Sequence, residues 1–350
     1  MIDLLKEVAR GKRGARDLNY AEALHAAESI LGLTATPAQI GAFLIAERIK
    51  MESVEELEAF VAVCRKYARR ESQQQGQGLD CAGPYDGRTK SFAATFPTAF
   101  LLSAAGLPVT LHGSASLPPK WGVTLLDIIR EAGIGAADLT PAASSTAARD
   151  SGVMVVDAEQ WCPPLGAIRS IREEIGMRTV FNTAEKLVDY SGSPYIVFGI
   201  YHNTVFDRLA RLLIKLGYQK ALIVQGTEGS EDLYIDRPTR VYTIAGGEFH
   251  LDIINPEALG LDTQVPEMNW NPRQQLLTAE AVLQGGGHMA FYNQTLLNGA
   301  ARLKLTGLAD SLEEGMYICK DLLDQGAAWK VYLKWKQSLL GCEAAALGHS

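Results

Sequence analysis

Four groups of residues in this chain have the types and spacing to do chemistry. Glu231 and Asp232 are adjacent carboxylates, with Glu228 three positions earlier. Such a cluster on a loop either ligates a hard divalent cation through oxygen or is plain solvated charge. Arg88 and Lys90 follow Asp86 and Gly87, and cations beside a glycine turn either grip a phosphate or stand as exposed turn residues. His112 precedes Gly113 at the end of an apolar run; it is either a buried, hydrogen-bonded imidazole or a group facing a cleft. The last group is basic. Arg10, Lys12, Arg13 and Arg16 lie near the start, and Arg65, Lys66, Arg69 and Arg70 end a helical period, where they either complement the helix dipole or offer a surface to a polyanion.

The elements that must position these groups follow from periodicity. Thr36, Pro37 and Gln39 spell a helix start, and Ser53 with Glu56 repeats the capping box before Leu57, Phe60, Val61 and Cys64, which share one helical face. Residues 1–72 therefore read as a small helical domain, followed by a polar, Gln-rich linker. From Leu79, short apolar runs (107–111, 153–156, 195–200, 221–224) alternate with amphipathic stretches, the pattern of an α/β domain with a mostly parallel central sheet over about residues 79–345. Residues 273–340 read as helical throughout, with a capping box at Ser311 to Glu314. A helical domain joined to an α/β domain implies a cleft between them, where ligands usually bind.

Composition sets outer limits. The 350 residues are 47% apolar with a formal charge of −7, enough for one large core and a smaller one and wrong for coating nucleic acid or an acidic membrane with the whole surface. The first 70 residues carry 11 Lys and Arg against 10 Asp and Glu, so positive charge concentrates there. Five scattered cysteines without a paired spacing predict reduced thiols and no zinc site. No run approaches the ~18 apolar residues of a membrane span, and no leader pattern is present, so the expected setting is the cytoplasm.

The residues then become specific. TATPAQIGAFLIAERIKMESVEELEAF (34–60), REEIGMRTVFN (172–182), the strand-helix-strand segment from Gly199 to Leu233, INPEALGL (254–261) and LLNGAARLKLTGLADSLEEGM (296–316) together resemble the anthranilate phosphoribosyltransferase family. The resemblance implies its nucleoside phosphorylase-like fold, with about 163–192 returning to the helical domain. It also implies a donor site for phosphoribosyl diphosphate at a G-T-G-G-D-G loop, an N-I-S-T segment and a K-H-G-N-R turn. Those motifs depart here. The loop reads Ala82, Gly83, Pro84, Tyr85, Asp86, Gly87, where Pro84 lacks an N–H and Tyr85 is bulky. Ala93, Ala94, Thr95 and Phe96 stand at N-I-S-T, and Leu111, His112, Gly113, Ser114 and Ala115 lose both cations of the turn.

Two readings stay open on this resemblance. In the first, a Mg²⁺-dependent pentosyltransferase serves an unidentified aromatic acceptor: Asp86, Gly87, Arg88, Lys90, Thr95, His112, Gly113 and Lys120 hold donor phosphates, Glu231 and Asp232 hold the metal, and Arg172 meets the acceptor. In the second, the altered motifs and the opening ARGKRGARDL resemble the YbiB-like branch. That likeness implies a homodimer through the helical domain that binds single-stranded nucleic acid without the transferase reaction, using the two basic groups and no cofactor. Both lead away from the ordinary anthranilate reaction.

Overall fold

The computed structural model describes residues 1–347 other than Lys12 and 72–76, with side chains as far as Gly341. The expected linker and Lys12 thus fall largely outside the described residues. Helices α1 (Ile2–Val8), α2 (Tyr20–Leu31), α3 (Pro37–Lys50) and α4 (Val54–Tyr67) form the N-terminal bundle. Asn19, Thr36 and Ser53 each accept a bond from the N–H three residues on, and Glu22, Gln39 and Glu56 return it, so three of the four helices begin on a complete capping box. Inside the bundle Glu47 is fully buried, 3.6 Å from the Lys50 ammonium, which also pairs with Asp17 and Glu56.

The α/β part is built on a seven-stranded sheet in the order β3-β2-β1-β4-β5-β6-β7. Strands β1 (Leu79–Ala82), β2 (Val109–Gly113), β3 (Val153–Asp157), β4 (Tyr195–Gly199) and β5 (Lys220–Val224) are parallel. The antiparallel hairpin of β6 (Thr239–Ala245) and β7 (Glu248–Ile254) closes one edge. Its turn, Gly246-Gly247, has both glycines at positive φ, as a two-residue hairpin turn requires.

The remaining helices are α5 (Thr95–Ala104), α6 (Leu125–Glu131), α7 (Pro141–Ser151), α8 (Ala158–Trp161), α9 (Pro163–Ala167), α10 (Arg169–Ile175), α11 (Phe181–Ala184), α12 (Phe206–Lys215), α13 (Pro272–Leu283), α14 (Met289–Thr306), α15 (Leu312–Asp324) and α16 (Ala327–Leu347). Alternation along the strands divides the core. Leu79 and Cys81, Val109 and Leu111, Val153 and Val155 face α5–α7 and α13–α16. Ala82, Met154, Val156, Ile196, Phe198 and Ile223 turn the other way, into one cluster with α2–α4 and α8–α12. Helix α10 packs on α3 and α11 on α4, so segment 163–192 lies against the N-terminal bundle. Sheet and bundle therefore share a layer, and the carboxyl ends of β1 and β4 open beneath α3 and α4.

Candidate functional site

The chain runs from β1 outward to β2 and β3, then crosses back to β4 on the other side of β1. Between β1 and β4 the connections diverge, which is where α/β sheets usually hold ligands. The altered donor loop follows β1 at that point. Gly87 has φ +76°, and a Cβ there would lie 2.3 Å from the carbonyl oxygen of Gly122; only glycine lets the two chains approach this closely. Paired main-chain bonds between Arg88 and Val123 lock the loop to the segment after Lys120.

Tyr85 is buried and fills the middle of this loop. Its hydroxyl lies 2.7 Å from His112 Nδ1, while His112 Nε2 is 2.9 Å from Asp80 Oδ1, poorly angled for a hydrogen bond. His112 is thus the buried imidazole of the two alternatives. The space left among Tyr85, Arg88, Thr95, His112, Gly113 and Glu231 is about 30 Å³. A water needs roughly 10–15 Å³ of such space, so it holds a water or two.

Arg88 is neither a free phosphate ligand nor an exposed turn residue. It is buried, with Nη2 2.8 Å from Asp232 Oδ2 and 3.5 Å from Glu231 Oε2. Arg302, on the buried face of α14, approaches Asp232 at 3.4 Å from the other side. Burial pushes Glu231 up, but Arg88 and Arg302 outweigh it and hold that carboxyl below its ordinary value; in Asp232 burial wins and the carboxyl is raised. Two buried acids neutralised by two guanidinium groups, without room for the waters Mg²⁺ keeps, do not fit a magnesium site. No group of three or more His, Cys, Asp or Glu able to hold a metal occurs among the described residues.

Glu228 occupies another anion position. Its carboxylate accepts bonds from the N–H groups of Thr89 and Lys90 and the hydroxyls of Thr89 and Ser91, at 2.6–3.2 Å. Burial opposes its ionisation, yet these donors overcome that and lower its pKa. They form the kind of nest that takes a phosphate, and a residue of this chain already sits in it, at a left-handed φ of 58°. Lys90 itself is exposed and contributes only its backbone. Lys120 donates to the Glu228 carbonyl and pairs with Asp86 at 3.0 Å; burial lowers its pKa. Asp86 also pairs with Arg178. Thr95 begins α5, 3.3 Å from Arg302.

Arg172 does not reach an open acceptor site. Its guanidinium makes a two-point pair with Glu185, at 2.6 and 2.9 Å, and both side chains are buried. Glu185 is where an acceptor's carboxylate would be expected, and burial raises its pKa even beside Arg172.

The basic groups are largely paired. Arg10 and Arg16 contact Glu7, and Arg16 also Glu22. Lys66 pairs with Glu28, Arg69 with Glu71 and Arg70 with Asp189, and Arg65 donates to the Leu187 carbonyl. Arg13 is exposed. Arg10, Arg16, Lys66, Arg69 and Arg70 thus carry their counter-ions with them.

Sequence reading missed Arg302, Glu185, Lys186, Arg178, Arg48 and Arg208. A signal existed for three: Arg302 is a charge within the otherwise uncharged LLNGAARL, and Glu185 and Lys186 follow the F-N motif within four residues. The last four line a second cavity, of about 200 Å³, beyond Tyr85.

Comparison with known proteins agrees with this architecture. Anthranilate phosphoribosyltransferase of Azorhizobium caulinodans is 30% identical over 93% of this chain and 92% of its own length, and that of Methanosphaerula palustris is 31% identical over 93% and 96%. The crystal structure of the Thermus thermophilus enzyme superposes with a TM-score of 0.84 at 23% identity, covering 96% of this chain and 99% of that one. The Saccharomyces cerevisiae enzyme in complex with PRPP and Mg gives 0.83 at 18%, covering 97% and 98%. Residues 2–68 match the helical bundle domain of the glycosyl transferase family and residues 80–329 its a/b domain, and the chain belongs to that family.

Proposed function

We propose that this chain keeps the family scaffold but does not transfer phosphoribose to anthranilate, because its own side chains fill the positions where donor, metal and acceptor would be held. The observation that carries this reading is the donor-loop space of about 30 Å³ behind Tyr85, small for a pentose bearing a diphosphate. Glu228 in the nest, Arg88 on the acid pair and Glu185 on Arg172 support it independently.

An active pentosyltransferase with an unidentified acceptor would need the same donor site, so one experiment separates the readings. Calorimetric titration with phosphoribosyl diphosphate and Mg²⁺ is expected to give no binding heat at millimolar donor. Micromolar binding would overturn the proposal and direct attention to acceptors. No specific observation favours nucleic acid, since the candidate cations are mostly paired. A homodimer through the helical domain draws support from α3, whose end exposes Ile49 (72%) and Met51 (54%), whereas Leu57 and Phe60 are spent in the core; light scattering decides it.

A further inference from the structure

We propose that the cavity between the helical bundle and the carboxyl ends of β1 and β4 binds a small phosphate monoester, held by Lys186, Thr179, Arg48, Arg178 and Arg208. The inference does not rest on loss of the transferase reaction, because Tyr85 walls this space off from the donor-motif space.

Its size and position come first. At about 200 Å³ it is several times the donor-loop space, and it opens at the point where the strand connections diverge. The loop after β1 (Pro84–Asp86) forms one wall, the loop after β4 a second, and α3 the roof. A sugar phosphate fits such a volume and a polymer does not.

The lining has donors to spare. Lys186 is 6% exposed; its ammonium donates to the Gly199 carbonyl at 3.0 Å and lies 3.8 Å above the Phe198 ring, and it makes no ion pair among the described residues. An ammonium carries three N–H donors, so two remain. Thr179 lines the same cavity, and its buried hydroxyl has no hydrogen-bond partner. Buried polar groups are nearly always satisfied, so an under-used ammonium and an unpartnered hydroxyl on residues lining one cavity point to a missing acceptor. Burial also pushes Lys186 down to about 7, the behaviour of a cation prepared for a counter-charge it does not yet have.

Charge selects the ligand class. Arg48, Arg178, Lys186 and Arg208 line the cavity against Glu52 and Asp86, and Asp86 is shared with Lys120 outside it. With Lys186 protonated the lining is therefore cationic by two formal charges, on a chain of net charge −7. A phosphate monoester carries close to two negative charges and three strong acceptor oxygens, whereas a lone carboxylate would leave part of the excess unmatched. Tyr201 and His202 at the rim, stacked edge to face, can cover the sugar.

The test is calorimetric titration of the full chain with ribose 5-phosphate, with ribose and benzoate as controls, in the native protein and in Lys186→Met, Thr179→Val and Thr95→Val. Binding of ribose 5-phosphate only, weakened at least tenfold in Lys186→Met and Thr179→Val and unchanged in Thr95→Val, is the expected result. Thermal melts of the free variants show whether they fold. Thr179→Val swaps a hydroxyl for a methyl and keeps the inference testable if Lys186→Met fails. Binding lost in Thr95→Val but kept in Lys186→Met would place the ligand at the donor loop and overturn this inference. So would equal binding of benzoate, no binding at millimolar ribose 5-phosphate, or tight binding confined to a 5′-phosphorylated oligonucleotide.

Discussion

Two neighbouring spaces share the Tyr85 side chain and differ in how their charges are settled. On the donor-motif side, Arg88, Arg302, Glu231 and Asp232 neutralise one another, and His112 lies between Tyr85 and Asp80. On the β4 side, Lys186 lacks an ion-pair partner among the described residues and the Thr179 hydroxyl lacks a hydrogen-bond partner. The same kinds of residue thus balance their charges in one place, where Glu231 and Asp80 still hold carboxylate oxygens without hydrogen-bond donors, and leave a buried ammonium without a counter-charge in the other. Charge-bearing motif positions do not by themselves indicate a ligand; an unbalanced charge facing an open cavity does.

The comparison breaks most visibly at Arg88. Arg88→Met leaves Glu231 and Asp232 with Arg302 alone, and removing one partner of a buried charge group costs about 3–5 kcal/mol, so the urea midpoint should collapse. A small change there would mean the acids are not bound as described. Lys186→Met should act in the opposite sense, stabilising the free protein by about 1–4 kcal/mol at pH 7. Because burial lowers Lys186 from 10.5 to about 7, its contribution to stability is full above pH 10.5 and is lost as pH falls through about 7. The variant's gain should therefore be largest at and below pH 7 and vanish near 10.5. The groups bearing on this ammonium are Glu231, Arg178, Asp86 and Lys120, all retained in the variant. A pH-independent gain would show that packing, not charge, is responsible.

Glu228→Ala should cost about 1–3 kcal/mol by stranding the donors of Thr89, Lys90 and Ser91, seen as faster amide exchange at Thr89 and Lys90. Glu47→Gln lies outside both spaces and is the smallest effect. Burial, aided by the charge of Glu56, pushes Glu47 up to about 8, so its contribution is full below the ordinary value of 4.5 and is lost as pH rises through 8. The glutamine variant should flatten that fall by on the order of 1–2 kcal/mol, read from urea midpoints across pH 4.5–8.

Much of the fold was legible because local signals agreed with it. Thr36 with Gln39 and Ser53 with Glu56 cap the helices they were read to cap, and the apolar runs at 107–111 and 221–224 became parallel strands. The β6–β7 hairpin was missed although Gly246-Gly247 sits between two alternating runs, because its exposed outer strand lacks an apolar block. The motif departures at Tyr85, Pro84 and Leu111 were legible one by one. Their partners were not: that Arg88 meets Asp232, 144 positions on, or that Glu185 meets Arg172 inside a core, depends on three-dimensional packing that periodicity does not carry. Lys186 was overlooked for the same reason, since a lysine four residues past an F-N motif looks like any surface cation until its neighbours are known.

The central claim is that the chain's own side chains occupy the donor site while the adjacent cavity remains unsatisfied. The most direct measurement is a paired calorimetric titration of the native protein, once with phosphoribosyl diphosphate and Mg²⁺ and once with ribose 5-phosphate. No heat in the first and saturable binding in the second is the predicted result. Micromolar binding of phosphoribosyl diphosphate with Mg²⁺ would contradict it.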